Sequence, residues 1–203
     1  MLTLETSIED FELIERVRAG QRDDYAHLVR KYQARVLRLC TSLLSDPVLA
    51  EDAAQDIFLN AYQGLAAFRG ASLFSTWLYR IAANHCRDLL RKRARQQTES
   101  WDALLEQHGE QVQQLFTTAQ EDPQTSAEHA ELAQRLLACL APADRLLLTL
   151  REVEGLSYQG LANTLGCSVN AIKGRLRRAR QRLQEHLRHF LDSSASKEQE
   201  QHR

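Results

Sequence analysis

The sequence predicts an all-α protein built as two small helical domains, residues 9–95 and 127–190. A flexible acidic linker over 96–126 joins them, and a polar, disordered tail follows at 191–203. Three observations carry this expectation. Apolar residues recur at three- and four-residue spacing in segment after segment. β-branched runs and strict alternation are scarce. Charge falls in blocks: residues 1–95 hold 14 basic and 12 acidic groups, 96–126 hold six acids and no Lys or Arg, and 127–190 hold ten basic and six acidic groups. The net charge of −1 conceals that pattern.

The elements follow in order. Residues 9–19 predict a short helix with Phe11, Ile14 and Val17 inward, ended by Gly20. Asp23 or Asp24 caps a second helix whose Tyr25, Leu28, Val29, Tyr32, Val36, Leu39, Cys40 and Leu43 share one face. Ser45-Asp46-Pro47 ends it and starts a third, over about 47–66, with Leu49, Ala53, Ile57, Ala61 and Leu65 buried. A break at 68–72 precedes a fourth helix from near Ser75 through Arg95, with Leu78, Ile81, Ala82, His85 and Leu89 inward. The linker is Gln-, Glu- and Thr-rich, with at most a helical turn around Leu104 or Val112–Phe116. The second domain predicts one helix carrying Leu132, Leu136, Leu137 and Leu140. Another spans 142–154 with Leu146, Leu147, Leu150 and Val153 buried, and Gly155 ends it.

Composition bounds the function classes. A chain of 203 residues, 43% hydrophobic, can bury two cores. No apolar run is long enough to span a bilayer and no secretory signal opens the chain, so a cytoplasmic protein without membrane insertion is expected. Cys40, Cys86, Cys139 and Cys167 have no metal-pair spacing and read as reduced, buried thiols. No Walker loop, metal-ligand cluster or nucleophile–base pair is visible. No catalytic residue, metal or cofactor is therefore expected, and the protein reads as a non-enzyme.

Three surfaces carry chemistry. Ser168–Arg182 holds six Lys or Arg and no acid, above an apolar stripe of Ile172, Leu176, Ala179 and Leu183. Charge alone suits a solvated face equally well. The preceding short amphipathic segment, the Gly166 stop and the Ser168 cap give the helix-turn-helix layout, whose second helix enters the major groove. Second, Phe68, Arg69, Phe74, Trp77, Tyr79 and Arg80 interleave aromatics with cations, and Arg80, Asn84, Arg87 and Arg91 line one helix face. Rings that stack bases beside cations that follow phosphates suit single-stranded nucleic acid; Phe74 and Trp77 also suit a small core, and both roles are expected, with some aromatic surface buried and some presented. Third, Glu51, Asp52, Gln55 and Asp56 cluster near a helix N-terminus. From its residues this patch reads as solvated surface, the alternative being a dock for a basic protein partner.

DAAQDIFLNAY (52–62), FRGASLFSTWLYRIAANHCRD (68–88) and LREVEGLSYQGLANTLGCSVNAIKGRLRRARQRL (150–183) resemble the motifs of the extracytoplasmic-function (ECF, σE-like) sigma factors of the σ70 family. The resemblance covers both domains in order. It implies a σ2 domain at 9–95, a σ4 domain at 127–190, and three kinds of partner: core RNA polymerase through its β′ clamp and β flap, promoter DNA, and an anti-sigma factor. It further implies that Asp52, Gln55 and Asp56 bind the β′ clamp helices. Arg69, Phe74, Ser75 and Trp77 would open the −10 element and hold a flipped base, and Arg80, Asn84 and Arg87 would contact the −10 strand. Ser168, Asn170, Ala171, Lys173, Gly174, Arg175, Arg177 and Arg178 would form the −35 surface. Asn170 and Arg177 depart from the family, which favours a small residue and an apolar or aromatic one there. The linker would thread towards the polymerase active-site cleft. A stand-alone helix-turn-helix regulator with 9–95 as a sensor is the second reading, but such a sensor has no need of the aromatic–cationic stretch 68–80.

Overall fold

The computed structural model describes the backbone of residues 2–99 and 137–201, and the side chains of 8–95 and 137–188. The linker beyond Glu99 and the expected helix around Leu132 and Leu136 lie outside the described residues. The elements are α1 (Leu2–Arg18), a 3-10 turn at Arg22–Asp24, α2 (Tyr25–Leu44), α3 (Pro47–Gly64), a second 3-10 turn at Leu65–Ala67, and α4 (Phe74–Glu99). After the linker come α5 (Pro142–Leu148), a π turn at Thr149–Val153, α6 (Tyr158–Leu165) and α7 (Val169–Gln201). Every described element is helical, as the periodicity predicts.

Local chemistry sets the boundaries. Asp46 caps α3 by accepting from the Leu49 amide at 3.2 Å, with Pro47 in the first turn where no amide partner is needed. Ser157 accepts from the Gly160 amide to start α6. Gly166, at φ +64°, takes the left-handed conformation that ends α6, and the Cys167 amide donates back to the Ala162 carbonyl. Neither Asp23 nor Asp24 caps α2; both belong to the 3-10 turn that leads into it. The tail expected to be disordered continues α7 to Gln201 instead, consistent with its Ala, Lys, Glu and Gln content.

α2, α3 and α4 pack around fully buried Leu28, Val36, Leu39, Ile57, Leu78 and Ala82. α1 closes one side through Ile14 and Val17. α7 lays Ile172, Leu176 and Ala179 inward and packs on α5 and α6. Each large apolar side chain buried in this way contributes roughly 1.5–3 kcal/mol relative to exposure. The buried residues of both helical groups form one continuous cluster, because α6 packs on α4 and α5 on α2.

Four expectations need correction. Phe11 is 51% exposed, because the inward face of α1 turns through Asp10, Ile14 and Val17. Asp10 is buried, bonded to Tyr32 Oη at 2.5 Å and Lys31 Nζ at 2.7 Å. Val153 is 55% exposed, because the π turn adds a residue and rotates the chain beyond it. Cys139 is exposed and Cys167 only half-buried, whereas Cys40 and Cys86 are buried with their sulfurs 3.8 Å apart. His85 is partly buried, its Nε2 3.7 Å from Asp56 Oδ2 rather than sealed in the core.

Candidate nucleic-acid interface

At the start of α4, rings of Phe68, Phe74 and Trp77 form one cluster with centroids 5.2–6.0 Å apart. Tyr32 extends it at 5.5 Å from Phe74. Phe74 is only 3% exposed, so it supports the cluster from inside and offers no face to a base. Trp77 is half-buried on top, with Gly64 beneath it. Arg18, which sequence reasoning missed, holds this corner in place. Its guanidinium donates to the carbonyl of Leu65 at 2.8 Å and to that of Phe68, so it caps the 3-10 turn leading into the loop. Outside the cluster stand exposed Arg69, Arg80 and Asn84, with Ser75 and Arg87 half-buried. Arg87 donates to Asn84 Oδ1 at 3.2 Å. The arrangement gives one aromatic face bordered by cations, mounted on rigid elements.

The second surface is the start of α7. Ser168 Oγ accepts from the Ala171 amide at 3.2 Å. Ser168, Asn170, Lys173, Arg175, Arg177 and Arg178 are exposed, with Ala171 and Gly174 half-buried. Arg180 and Arg182 are engaged elsewhere. Arg180 donates to Glu152 at 2.6 Å, which raises its pKa, and Arg182 pairs with Asp144. A Cβ at Gly174 would meet only Arg178 at ordinary contact distance, so the space there is open.

The acidic surface of α3 divides. Gln55 and Glu51 line a groove of about 1140 Å³ between α2 and α3, together with Tyr62, Leu59 and Arg30. Asp52 and Asp56 are exposed on the neighbouring face, Asp56 turned towards His85 of α4.

Sequence reasoning also missed how the helical groups meet. Glu154, just past the π turn, has a side chain only 1% exposed. It accepts from Tyr79 Oη at 2.5 Å and from Arg38 Nη2 at 3.3 Å, with Arg35 Nε at 3.9 Å. Burial, together with Glu154, raises the Tyr79 pKa above the usual tyrosine range, so the hydroxyl stays a donor. Arg145 donates to the Ser42 carbonyl at 2.8 Å and to Ser45 Oγ at 3.2 Å, capping the C-terminus of α2. Ser45, at φ 56°, leaves that helix end open to it. A charged residue just after a predicted helix end is a weak signal by itself, and no pattern in the sequence pairs Glu154 with Tyr79.

Comparison with known proteins places both helical groups in known families. Residues 28–96 match the family Sigma-70 region 2, and residues 130–183 match Sigma-70, region 4. The chain is 35% identical to the RNA polymerase sigma-H factor of Pseudomonas aeruginosa, over 94% of this chain and 98% of that one. It is 34% identical to the ECF RNA polymerase sigma-E factor of Escherichia coli K12, over 86% and 92%. Among solved structures, it is similar to the sigma factor RpoE of Bartonella quintana in complex with the anti-sigma factor NepR, with TM-score 0.64, 27% identity and coverage of 81% and 97%. CnrH in complex with the cytosolic domain of CnrY gives TM-score 0.62, 25% identity and coverage of 89% and 96%. With both regions matched in order and near-complete coverage of curated relatives, the chain belongs to the ECF sigma factors of the sigma-70 family.

Proposed function

We propose that this sigma factor directs bacterial core RNA polymerase to its promoters by dividing the work between the two surfaces described above. The observation that carries the reading is the pairing of an aromatic–cationic corner on α4 with a separate exposed basic helix start on α7. The α7 surface, through Lys173, Arg175 and Arg178, seats in the −35 major groove and on its phosphates. The corner of Arg69, Ser75 and Trp77 receives unstacked bases of the −10 element, while Arg80, Asn84 and Arg87 follow the strand. Stacking on a ring returns about 1–3 kcal/mol per base, which offsets part of the unstacking cost. Phe74 serves by supporting Trp77. Asp52, Gln55 and Asp56 meet the polymerase β′ clamp.

Neither cationic surface is large, so each alone holds DNA weakly. Carrying both on one polymerase raises the effective concentration of the second contact once the first is made. The chain performs no chemistry itself; RNA synthesis belongs to the polymerase, in the bacterial cytoplasm. An anti-sigma partner controls it, a reading supported by the similar sigma factor RpoE, which was solved in complex with the anti-sigma factor NepR. Run-off transcription with purified core enzyme on a promoter library tests the reading. Promoter-dependent transcripts that require this chain are expected. Their absence on every promoter would overturn it.

A further inference from the structure

We infer, on the reading of the Trp77 corner as the receptor for −10 bases, that α1 belongs to the promoter-melting machinery: one face of that helix holds the segment 65–73 preformed, with Arg18 as its positioning residue. Phe11, Glu15 and Arg18 stand at i, i+4 and i+7, so they share that face. The Arg18 guanidinium donates through Nε and Nη2 to the Leu65 carbonyl, at 3.2 and 2.8 Å. Nη2 also donates to the carbonyls of Phe68 and, at 3.5 Å, Ala66. Nη1 donates to Glu15 Oε1 at 2.6 Å, which orients the fork. The three carbonyls form the open end of the 3-10 turn, where a cation is favourable. Farther along the loop, Phe11 lies against Gly70, whose φ is +68°. A Cβ at Gly70 would stand 3.6 Å from Phe11 Cε2. The side chain that periodicity would bury is thus kept at the loop.

Residues 69–73 belong to no helix, so their contacts set their shape. At the entry, Phe68 takes ψ 113° and turns the chain out of the 3-10 turn. Arg18 holds the Phe68 carbonyl, and the Phe68 ring lies 5.2 Å from that of Trp77. Arg18 therefore fixes both the start of the loop that carries Arg69 and the ring beside which Trp77 stands. With this shelf already ordered, the stacking of an incoming base is not offset by ordering the loop. Arg18 is committed to carbonyls and to Glu15, so it gives the site shape and no phosphate contact. That separates it from Arg69 and Arg80, which are exposed at the same corner. Without Arg18 the receptive loop becomes a fraction of the population, and apparent affinity for the −10 strand falls by that fraction.

The test is fluorescence anisotropy of reconstituted holoenzyme with the single-stranded non-template −10 segment of a promoter found by run-off transcription, alongside a −35 footprint. Loss of hydrogen bonds from a charged donor predicts about 10-fold weaker oligonucleotide binding for Arg18→Ala. Arg18→Lys keeps the charge but not the fork, and should weaken binding to a similar extent. Phe11→Ala, at a half-exposed position, should weaken it less. In all three, −35 protection, core affinity and the slope of log affinity against log salt should match wild type. If Arg18→Ala loses helical circular dichroism, Arg18→Lys and Phe11→Ala are read in its place. Oligonucleotide binding at wild-type strength in the folded variants overturns the inference. So does a salt slope lower by about 1 in Arg18→Ala, which would make Arg18 a phosphate contact. Loss of −35 protection in step with −10 binding overturns it too, because it marks a general loss of structure. Wild-type holoenzyme that forms but does not bind the −10 strand would remove the reading of the Trp77 corner, and this inference with it.

Discussion

The six-membered ring of Trp77 rests directly on Gly64: a Cβ built there would come 3.2 Å from Cζ2 and 3.4 Å from Cη2. The last residue of α3 therefore sets the height and tilt of the ring proposed to receive −10 bases. Gly64→Val is expected to lift Trp77 from Phe68 and cut promoter opening by about 10-fold, at an overpacking cost of about 1–3 kcal/mol in stability. Core polymerase affinity should stay unchanged. Permanganate reactivity of −10 thymines checks this, and wild-type opening by the variant would refute it.

On α7 the cations are not equivalent. Lys173 and Arg178 are exposed, whereas Arg180 is already paired with Glu152. Lys173→Ala and Arg178→Ala should each lower the slope of log affinity against log salt by about 1 for holoenzyme on its promoter. Arg180→Ala should change it by much less. Equal slopes for all three variants would contradict the assignment.

For the polymerase contact, Asp52→Lys reverses a charge that is exposed and makes no described bond within the fold. It should weaken association with core enzyme by about tenfold or more and leave thermal unfolding unchanged. Gln55→Ala should weaken the same association, since Gln55 lines the α2–α3 groove beside it. Titration of labelled protein with core polymerase decides, and unaltered affinity in Asp52→Lys would rule the contact out.

Much of the architecture was legible because helix ends carry their own chemistry. Asp46-Pro47, Gly166 and Ser168 announce boundaries that the structure places within a residue or two. The basic start of α7 was legible because six cations sit above an apolar stripe. What escaped depends on neighbours distant in sequence. Periodicity places Phe11 near the core face of α1, yet buried Asp10 takes that space because Tyr32 and Lys31 await it. Val153 follows the helical pattern, but the π turn rotates it out and Glu154 in. An acidic linker of that composition gives no hint that the regions it joins are packed together. Nothing in the sequence singles out Arg18 or Arg145, because carbonyls at the ends of distant helices leave no mark in it. Phe74 and Trp77 are identical in kind on the page, and only packing separates the support from the presented ring.

The most direct measurement of the central claim is a pair of footprints on holoenzyme reconstituted from core polymerase and either wild-type protein or Trp77→Ala. With wild type, the account predicts protection of the −35 element and permanganate-reactive thymines in the −10 element. With Trp77→Ala, folded by circular dichroism, −35 protection should persist while −10 reactivity falls by about 10-fold. A variant that opens the −10 element as fully as wild type, or loses −35 protection together with opening, would contradict the division of labour between α4 and α7.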